Sequence, residues 1–594
     1  MKIKHISAIL LGIFSYFLIH FVLLGYGNQV AHPAINEVIV KSFENNFIKS
    51  SSKIDKFKNY WIDISEGLEK YLGMAVTNLG FFEGTTGETE LSIKALEWIK
   101  HGGMAADEPE VPASVRHFYD PIGNNGGKKY LTNRGTYWEG IYSNPRTDAI
   151  EWALGDTPKG QENIYTWREG IYYMRIALME EDSVERNKYF AAALRCLGET
   201  LHNTGDMGCP GHVRNDSHAS PIGYTFGAVL GSPDPYEELF KKSWASDYGY
   251  AKPDPTLESY FKSATTARAI NEKLAEFTNA NFFTHESISG LGKFGNEITP
   301  INKNEPAYPS PKLETLEYSE SDYTYYKTFP SGRRIKMCKD FTYFRLDGRG
   351  YPYIDYDVCK SQAEELMPNI AAAGANIIRL FIPQFKLELK NTDALSDTLE
   401  LTIKHTVDAE HKDEIFYNGP VKFIVNSKFV DSVYQAKDGK LIITNLKANN
   451  GDKIQAQISF IEVTVYSEII TYTKDPLWGT WYLLETLTDS NDPQAPAKGT
   501  EFRATKFYKI KNDGKIEIYN SQGTLESRMN YTRTGLSFSI TASSATQGYS
   551  QTGTISATQD SWSSTVNSTY KRNEGGVDKD YFRKYNSNGN RKPI

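Results

Sequence analysis

The sequence predicts a multidomain protein with a mostly α-helical amino-terminal domain, a β-sandwich and a second β-rich domain. Apolar residues recur at helical spacing from about residue 183 to 202. Short alternating or apolar runs, separated by Asp-Gly and Asn-Gly turns, fill residues 386–474. A further set of strand-like runs begins near Leu477. We therefore expect a signal peptide at 1–25, an all-α domain at 26–385, a sandwich at 386–474 and a barrel at 475–594.

The amino terminus has the layout of an export signal. Two lysines precede an apolar run from about Ile6 to Gly25, and no acidic residue occurs before Glu37. An uncleaved membrane anchor is the alternative, because the run is long. In either case we expect the rest of the chain to be exported, as a secreted, cell-surface or periplasmic protein.

Composition limits the classes of function. The 594 residues carry a formal net charge of −7 and are 40% hydrophobic, which indicates a folded chain of about three or four domains. This charge gives no global attraction to nucleic acid or to anionic membranes. The four cysteines are too few for a disulfide scaffold, although Cys338 and Cys359 are close enough in sequence to pair in an oxidising compartment.

A short stretch at the end of the predicted helix carries the strongest chemical signal. His202, Asp206 and His212 recur there as H-x3-D-x5-H. Residues four apart lie on one face of a helix, so His202 and Asp206 can point at one spot. We expect the glycines and the proline between residues 205 and 211 to break the helix and return His212 to that spot. Imidazole nitrogen and carboxylate oxygen are zinc ligands.

Other candidate ligands lie earlier in the chain. His32 begins an amphipathic helix, and Asp107 and His117 lie ten residues apart in an acidic loop. Of the 11 histidines, two lie in the predicted signal, and seven of the other nine precede residue 300. Taken alone, His32 would more often be a helix cap and an acidic loop would more often be only solvated. The distribution of histidine nevertheless places the expected chemistry in the amino-terminal half.

In combination, these motifs resemble the bacterial zinc-dependent phospholipase C family, whose superfamily fold is shared with the single-strand-specific zinc nucleases. The resemblance rests on the H-x3-D-x3-P-x-H array, on an aspartate upstream of the H-F-Y-D-P loop, and on an early histidine near a processed amino terminus. It covers roughly residues 26–300 and at most extends to about 385. It implies a mostly helical catalytic domain that holds up to three Zn²⁺ ions, two of them as a close pair.

The resemblance also implies ligands for the first zinc. Asp107, His117, His202 and Asp206 correspond to them. Asp107 is in addition the predicted catalytic residue, because a carboxylate at this zinc could orient or deprotonate a water molecule.

Ligands for the other two zinc ions follow from the same resemblance. Asp206 would bridge to a zinc that is also held by His32 and by Tyr26, which stands where the family usually has Trp as its first residue. His212 and Glu237 correspond to ligands of the remaining zinc. The family has a further histidine four residues before this glutamate, where this chain has Pro233. Either His218 or Asp234 could substitute, and His218 is the preferred candidate.

The implied activity is hydrolysis of the glycerol-phosphate ester of phospholipids by a metal-activated water. The segment from His212 to Asn215 resembles the lipase branch, and Phe118 and Tyr119 could contact a choline ammonium or stack on a nucleobase. A single-strand-specific zinc nuclease is therefore an alternative, as is a non-catalytic lipid- or surface-binding protein on a degenerate zinc scaffold. The sequence contains no G-x-S-x-G or G-x4-G-K-[ST] motif, which argues against serine hydrolases and P-loop enzymes.

The remaining chain predicts structural rather than catalytic elements. Residues 361–373 are predicted to form a helix that packs on the catalytic domain. The G-x-W sequence ending at Trp481 and the succession of hairpins up to about Tyr585 resemble a lipocalin-like β-barrel. Such a barrel either holds an apolar ligand or is filled by its own side chains.

Overall fold

The computed structural model describes most of the chain after the predicted signal. The described residues are 31–48, 76–77, 90–91, 95–106, 113, 115–132, 146–157, 163–216, 252, 254–301, 306–340, 351–391, 398–444, 446–461, 463–511 and 514–592. Four of the predicted site residues, Tyr26, Asp107, His218 and Glu237, lie outside the described residues, as does the predicted signal peptide.

The described residues belong to two compact units. The first comprises those within 1–386, 404–419 and 459–465, and the second those within 387–403, 420–458 and 466–594. All α-helices of the described residues lie before residue 382. They are α1 (Ala31–Phe43), α2 (Ala95–Ala105), α3 (Ala149–Leu154), α4 (Trp167–Met179), α5 (Ser183–Met207), α6 (Pro210–Val213), α7 (Pro255–Lys262), α8 (Ala267–Asn281) and α9 (Tyr356–Phe381).

Helix α5 is longer than the sequence predicts. Its first turn is capped by the Asp182 carboxylate, which accepts hydrogen bonds from the backbone N–H groups of Val184 and Glu185. Gly205 does not break the helix, contrary to expectation. A Cβ on this residue would lie 3.4 Å from Nδ1 of His32, an ordinary van der Waals distance, so α1 packs on this position with room for a methyl group. The helix ends at Gly208, whose N–H bonds back to the Gly205 carbonyl at 3.0 Å.

Helices α2 and α5 touch backbone to backbone. A Cβ on Gly198 would lie 2.1 Å from the Ile99 carbonyl oxygen, and one on Gly102 would lie 2.3 Å from the Arg195 carbonyl oxygen. The buried Asn36 side chain of α1 joins this crossing, because its Nδ2 donates to the carbonyl oxygens of Ile99 and Gly198, both at 3.0 Å. Three helices are thereby fixed against one another beside the candidate site.

Helix α9 also extends beyond its predicted ends. The Asp355 side chain caps its start by accepting from the Val358 N–H at 3.0 Å. The apolar run that follows residue 373 continues the helix to Phe381, and Pro368 lies within it. Ile370 and Gly374 of α9 pack on Gly208 and Ile39, respectively.

Small sheets complete the first part of the chain. They are β1 (Val76–Thr77) with β2 (Glu90–Leu91), β3 (Gly290–Leu291) with β4 (Glu297–Ile298), and the three-stranded sheet of β5 (Glu317–Ser319), β6 (Thr324–Thr328) and β7 (Arg334–Lys339). Strand β7 is joined to α9 by the Gln362 amide, which donates to the Met337 carbonyl at 3.2 Å.

Two further sheets lie where the sequence predicts a sandwich. Val421 pairs with Ile458 in antiparallel register, and alternate residues of the strands are buried. One sheet has the order β11-β10-β14-β15, with β12 beside β10 and β16 beside β14, and the other has the order β13-β9-β8. The strands are β8 (Gln384–Asn391), β9 (Leu399–Thr406), β10 (Gly419–Val425), β11 (Lys428–Phe429), β12 (Tyr434–Ala436), β13 (Lys440–Ile443), β14 (Lys453–Phe460), β15 (Val463–Tyr466) and β16 (Ile470–Thr471).

The last eight strands close into a barrel, in sequence order, by pairing of the first with the last. Trp481 is fully buried in its core, and the Arg591 guanidinium lies 3.9 Å from the centre of the Trp481 ring. The predicted barrel is therefore present, and its likeness to lipocalins stays a prediction. Its strands are β17 (Gly479–Ser490), β18 (Glu501–Ile510), β19 (Lys515–Tyr519), β20 (Leu525–Thr534), β21 (Ser537–Ser543), β22 (Gln547–Ile555), β23 (Ser561–Glu574) and β24 (Val577–Asn590).

Two further expectations concern a disulfide and a membrane-spanning helix. All four cysteines are buried and none of them forms a disulfide, so Cys338 and Cys359 are not paired as their sequence separation would allow. Among the described residues, no helix is both long enough and apolar enough to cross a membrane.

Replacement of Gly198 by alanine tests the helix crossing. The new methyl group would meet the Ile99 carbonyl oxygen, so we expect Gly198→Ala to lower the free energy of unfolding by about 1–3 kcal/mol or more. Gly205→Ala is the matched control in the same helix. Its methyl group meets only ordinary contacts and gains helix propensity, so stability should be unchanged or slightly higher. Urea unfolding of both variants measures this, and equal effects would contradict it.

Candidate metal centre

Four histidines converge on the carboxylate of Asp206. His202 and Asp206 lie one turn apart on α5, His32 is the second residue of α1, and His212 lies on the short helix α6. His117 lies in a turn of the segment between α2 and α3. All five side chains are buried, with exposed fractions of 1–6%. These residues come from four separate segments, so the cluster exists only in the folded chain.

The two oxygens of the Asp206 carboxylate each face a different pair of imidazoles. Oδ2 lies 3.4 Å from Nε2 of His202 and 3.5 Å from Nδ1 of His117. Oδ1 lies 3.7 Å from Nε2 of His32 and 3.7 Å from Nε2 of His212. The His32 and His202 rings also stack, with centroids 3.6 Å apart. One carboxylate therefore occupies the centre of the cluster.

Backbone carbonyls orient two of the rings. Nδ1 of His202 lies 2.7 Å from the Gly103 carbonyl oxygen, and Nδ1 of His212 lies 2.7 Å from the His117 carbonyl oxygen. A carbonyl can only accept, so each Nδ1 carries the proton in these contacts. Nε2 of each ring is then left with its lone pair directed at Asp206, which is the tautomer that binds a metal.

Distances on the Oδ2 side fit a tetrahedral zinc. Ligand atoms about 2.0–2.1 Å from a tetrahedral zinc lie about 3.3 Å from each other. Nδ1 of His117 and Nε2 of His202 are 3.2 Å apart, and each lies 3.4–3.5 Å from Oδ2 of Asp206. One ligand atom from each of His32, His202 and Asp206 also falls within 4.8 Å of the others. The residues present therefore fit a metal ion.

A second set of contacts fixes the loop that carries His117. The Tyr119 N–H donates to the His212 carbonyl at 2.9 Å, while His212 donates to the His117 carbonyl. The Phe118 ring stacks on the His212 ring with centroids 4.8 Å apart. Phe118 and Tyr119 are buried, with exposed fractions of 5% and 2%, so neither presents a face to a substrate in the way that the sequence suggested.

Arg214 anchors α6 to the segment that follows α8. Its guanidinium donates to the Phe282 carbonyl and, at 3.0 Å, to the Ser310 carbonyl. Burial lowers the pKa of Arg214 to about 10, which leaves the side chain charged at neutral pH. Asn215 donates to the Thr132 hydroxyl at 2.6 Å. Arg214 and Asn215, which belong to the segment that resembles the lipase branch, therefore make internal bonds.

A fifth histidine near the cluster is not part of it. Burial, with a smaller effect of the Arg195 charge, lowers the pKa of His101 to about 4, so this side chain is neutral at pH 7. Arg195 instead donates to the His101 carbonyl at 2.9 Å and pairs with Glu199 at 2.8 Å. His101 therefore belongs to the packing of α2 on α5.

Of the nine residues predicted as ligands, the structure brings five together, namely His32, His117, His202, Asp206 and His212. The other four lie outside the described residues and stay predictions. The sequence analysis did not identify Asn36, which bonds to α2 and α5, or Gly103, whose carbonyl orients the His202 ring. Asn36 lies four residues after His32, on the same helix face, and this spacing was the one available signal.

Comparisons with known proteins give distant likenesses. No protein-family model and no curated protein matches the chain. The solved structure of Alpha Toxin from Clostridium Absonum aligns with 93% of this chain and 98% of its own, at 11% identity and a TM-score of 0.27. A protein of unknown function of the DUF3598 family from Nostoc punctiforme PCC 73102 aligns with 35% of this chain and 87% of its own, at 8% identity and a TM-score of 0.14. Neither likeness is close enough to carry an argument.

Loss of a ligand should release the metal. We expect His202→Ala and Asp206→Asn to weaken zinc binding by more than about 100-fold, because even loss of a group that only orients a ligand costs about 10- to 100-fold. His405→Gln is the control, since His405 is a histidine outside the cluster that contacts Phe385 and His411. Titration of the metal-free proteins with zinc measures the affinities. Equal zinc affinity in all three variants would contradict a site at Asp206.

Proposed function

We propose that the protein is an exported zinc-dependent phosphodiesterase that hydrolyses the glycerol-phosphate ester of phospholipids. The observation that carries the proposal is the Asp206 carboxylate, whose two oxygens each face their own pair of imidazoles. A carboxylate so placed can contribute one oxygen to each of two neighbouring metal ions. Sites with two metals are typical of enzymes that cleave phosphate esters.

The chain's own residues would hold the metal and exclude competing groups. His117, His202 and Oδ2 of Asp206 are the expected ligands on one side, and His32 and Oδ1 those on the other. His212, which the resemblance assigns to the remaining zinc, lies 3.7 Å from Oδ1 and is near enough to join this second set instead. Zinc bound there supplies a Lewis acid that polarises a phosphoryl oxygen and lowers the pKa of water to about 7. Burial of the five side chains keeps bulk water from competing with the ligands, and the Gly103 carbonyl keeps the His202 ring in its binding tautomer.

The choice of phospholipid as substrate rests on the sequence resemblance, not on contacts within the described residues. Phe118 and Tyr119 are buried, and Arg214 and Asn215 are engaged in internal bonds. A single-strand-specific nuclease uses the same metal arrangement, so it is the second candidate. A non-catalytic lipid- or surface-binding protein on a degenerate zinc scaffold is the third.

Chelator-sensitive hydrolysis distinguishes these candidates. The purified chain, with its zinc content measured, is incubated with phosphatidylcholine vesicles and separately with single-stranded DNA, each with and without a chelator. We expect phosphocholine release that the chelator abolishes, that is lost in His202→Ala and that is retained in His405→Gln. Nucleotide release without phosphocholine release would assign the nuclease activity. If the zinc-loaded protein releases neither product, the enzymatic proposal is overturned.

Asp107 is expected to act on the water as well as on the metal. Replacement by asparagine keeps an oxygen ligand but removes the base, so we expect kcat for phosphatidylcholine to fall by about 10²- to 10⁴-fold. The zinc bound at Asp206 should remain, and the acidic limb of the pH–rate profile should change. Unchanged kcat in the zinc-loaded Asp107→Asn protein would remove Asp107 from the mechanism.

A further inference from the structure

We propose that the hairpin of β3 and β4 is a docking element that inserts into the surface of a phosphatidylcholine bilayer. The proposal concerns a surface outside the metal cluster, and it takes the choice of lipid from the proposed function. Leu291 and Phe294 of this hairpin and Tyr323 of the next one have exposed fractions of 50%, 85% and 52%. We call these three side chains the tip patch.

The hairpin backbone is held in place although its apolar side chains are exposed. Gly292 donates to the Asn296 carbonyl at 2.8 Å, and Gly295, at a φ of 76°, closes the turn. The Lys293 N–H donates to the hydroxyl of Tyr325 at 3.0 Å. At the base, Leu313 donates to the Ser289 carbonyl at 3.1 Å. Phe294 is thus presented on a fixed turn.

Lys293 joins the two turns of the tip patch. Its ammonium lies 3.3 Å from the Glu320 carboxylate and 5.2 Å from the centre of the Tyr318 ring. Aromatic side chains beside lysine are typical of the zone where a protein meets lipid head groups. Because the ammonium is already paired with Glu320, attraction to anionic lipid contributes little. We therefore expect docking to a zwitterionic bilayer that depends weakly on salt.

The size of the tip patch favours lipid over protein as its partner. A stable protein interface buries about 800 Å² on each side and needs a complementary surface. Three side chains at the ends of two turns fall short of this area. A bilayer accepts a protruding aromatic residue without a matching surface, and burial of one phenylalanine contributes enough to change partitioning by about tenfold or more.

The hairpin is tied to the ligand-bearing part of the chain. Arg214 lies two residues after His212 and donates to the Phe282 carbonyl at the end of α8 and to the Ser310 carbonyl. These two acceptors bracket the segment that contains the hairpin. Insertion of Phe294 would therefore hold the metal cluster near the lipid surface, because the hydrogen bonds of Arg214 join the two.

A reporter at residue 294 tests the docking directly. The four native cysteines are buried, so a single new cysteine in Phe294→Cys can be labelled with an environment-sensitive dye. Phosphatidylcholine vesicles, with a chelator present to prevent hydrolysis, should shift the dye emission to shorter wavelength. Phe429→Cys is the matched control, because Phe429 is 60% exposed at another hairpin, β10–β11. No shift at 294, or equal shifts at both positions, would overturn the proposal.

Replacement of Phe294 by aspartate tests whether this side chain is needed for binding to vesicles. We expect Phe294→Asp to weaken co-sedimentation with the same vesicles by about tenfold or more at both low and high salt, while Phe429→Asp leaves it unchanged. Hydrolysis of a soluble phosphocholine ester should be normal in Phe294→Asp, while hydrolysis of vesicles falls. Unchanged co-sedimentation of Phe294→Asp overturns the docking proposal. It is also overturned if Phe294→Asp still binds vesicles but no longer self-associates. Absence of hydrolysis in every protein would instead overturn the proposed function, while the dye shift and co-sedimentation would still decide the docking.

Discussion

The burial of one carboxylate organises the amino-terminal part of the molecule. Asp206 is 1% exposed, and a carboxylate removed from water is strongly destabilising unless partners compensate its charge. Imidazole nitrogens on α1, α5, α6 and the segment between α2 and α3 surround it, but those of His202 and His212 present lone pairs, which offset its charge only through a cation held between them. Because these partners come from distant positions in the chain, the segments must pack closely for the carboxylate to be tolerated. A metal ion between the nitrogens and the carboxylate would complete the compensation.

Small residues make this packing possible. Gly102 and Gly198 let α2 and α5 approach until only backbone separates them, and Asn36 then bonds to both helices from α1. The same approach places the Gly103 carbonyl at the His202 ring, which selects the tautomer with a free Nε2. The geometry of the site is thus a consequence of how closely three helices can approach, not of the ligands alone.

The side chains around the metal cluster are used for internal contacts. Aromatic residues near the cluster are engaged in packing, and Arg214 is engaged in holding α6 to the segment after α8. An apolar surface is instead found at the hairpin of β3 and β4, where Phe294 is exposed on a fixed turn. Arg214 connects this hairpin to the neighbourhood of His212. The proposed lipid-binding hairpin and the expected metal ligand would therefore be linked by hydrogen bonds.

The sequence by itself determined the local part of this arrangement. That His202 and Asp206 share one face follows from the period of a single helix, which is a local property and needs no other part of the chain. The helices beginning at His32 and near Ser183 were likewise predictable from periodicity, and the barrel at the end was expected from a resemblance to lipocalins. Only the tertiary structure decided that Gly205 continues the helix, that Asn36 and Gly103 orient the ligands, and that Cys338 and Cys359 are not joined by a disulfide. It also decided that Phe118 and Tyr119 are buried while Phe294 is exposed. These outcomes depend on which surfaces meet across long sequence separations, and periodicity within one element carries no information about its partner.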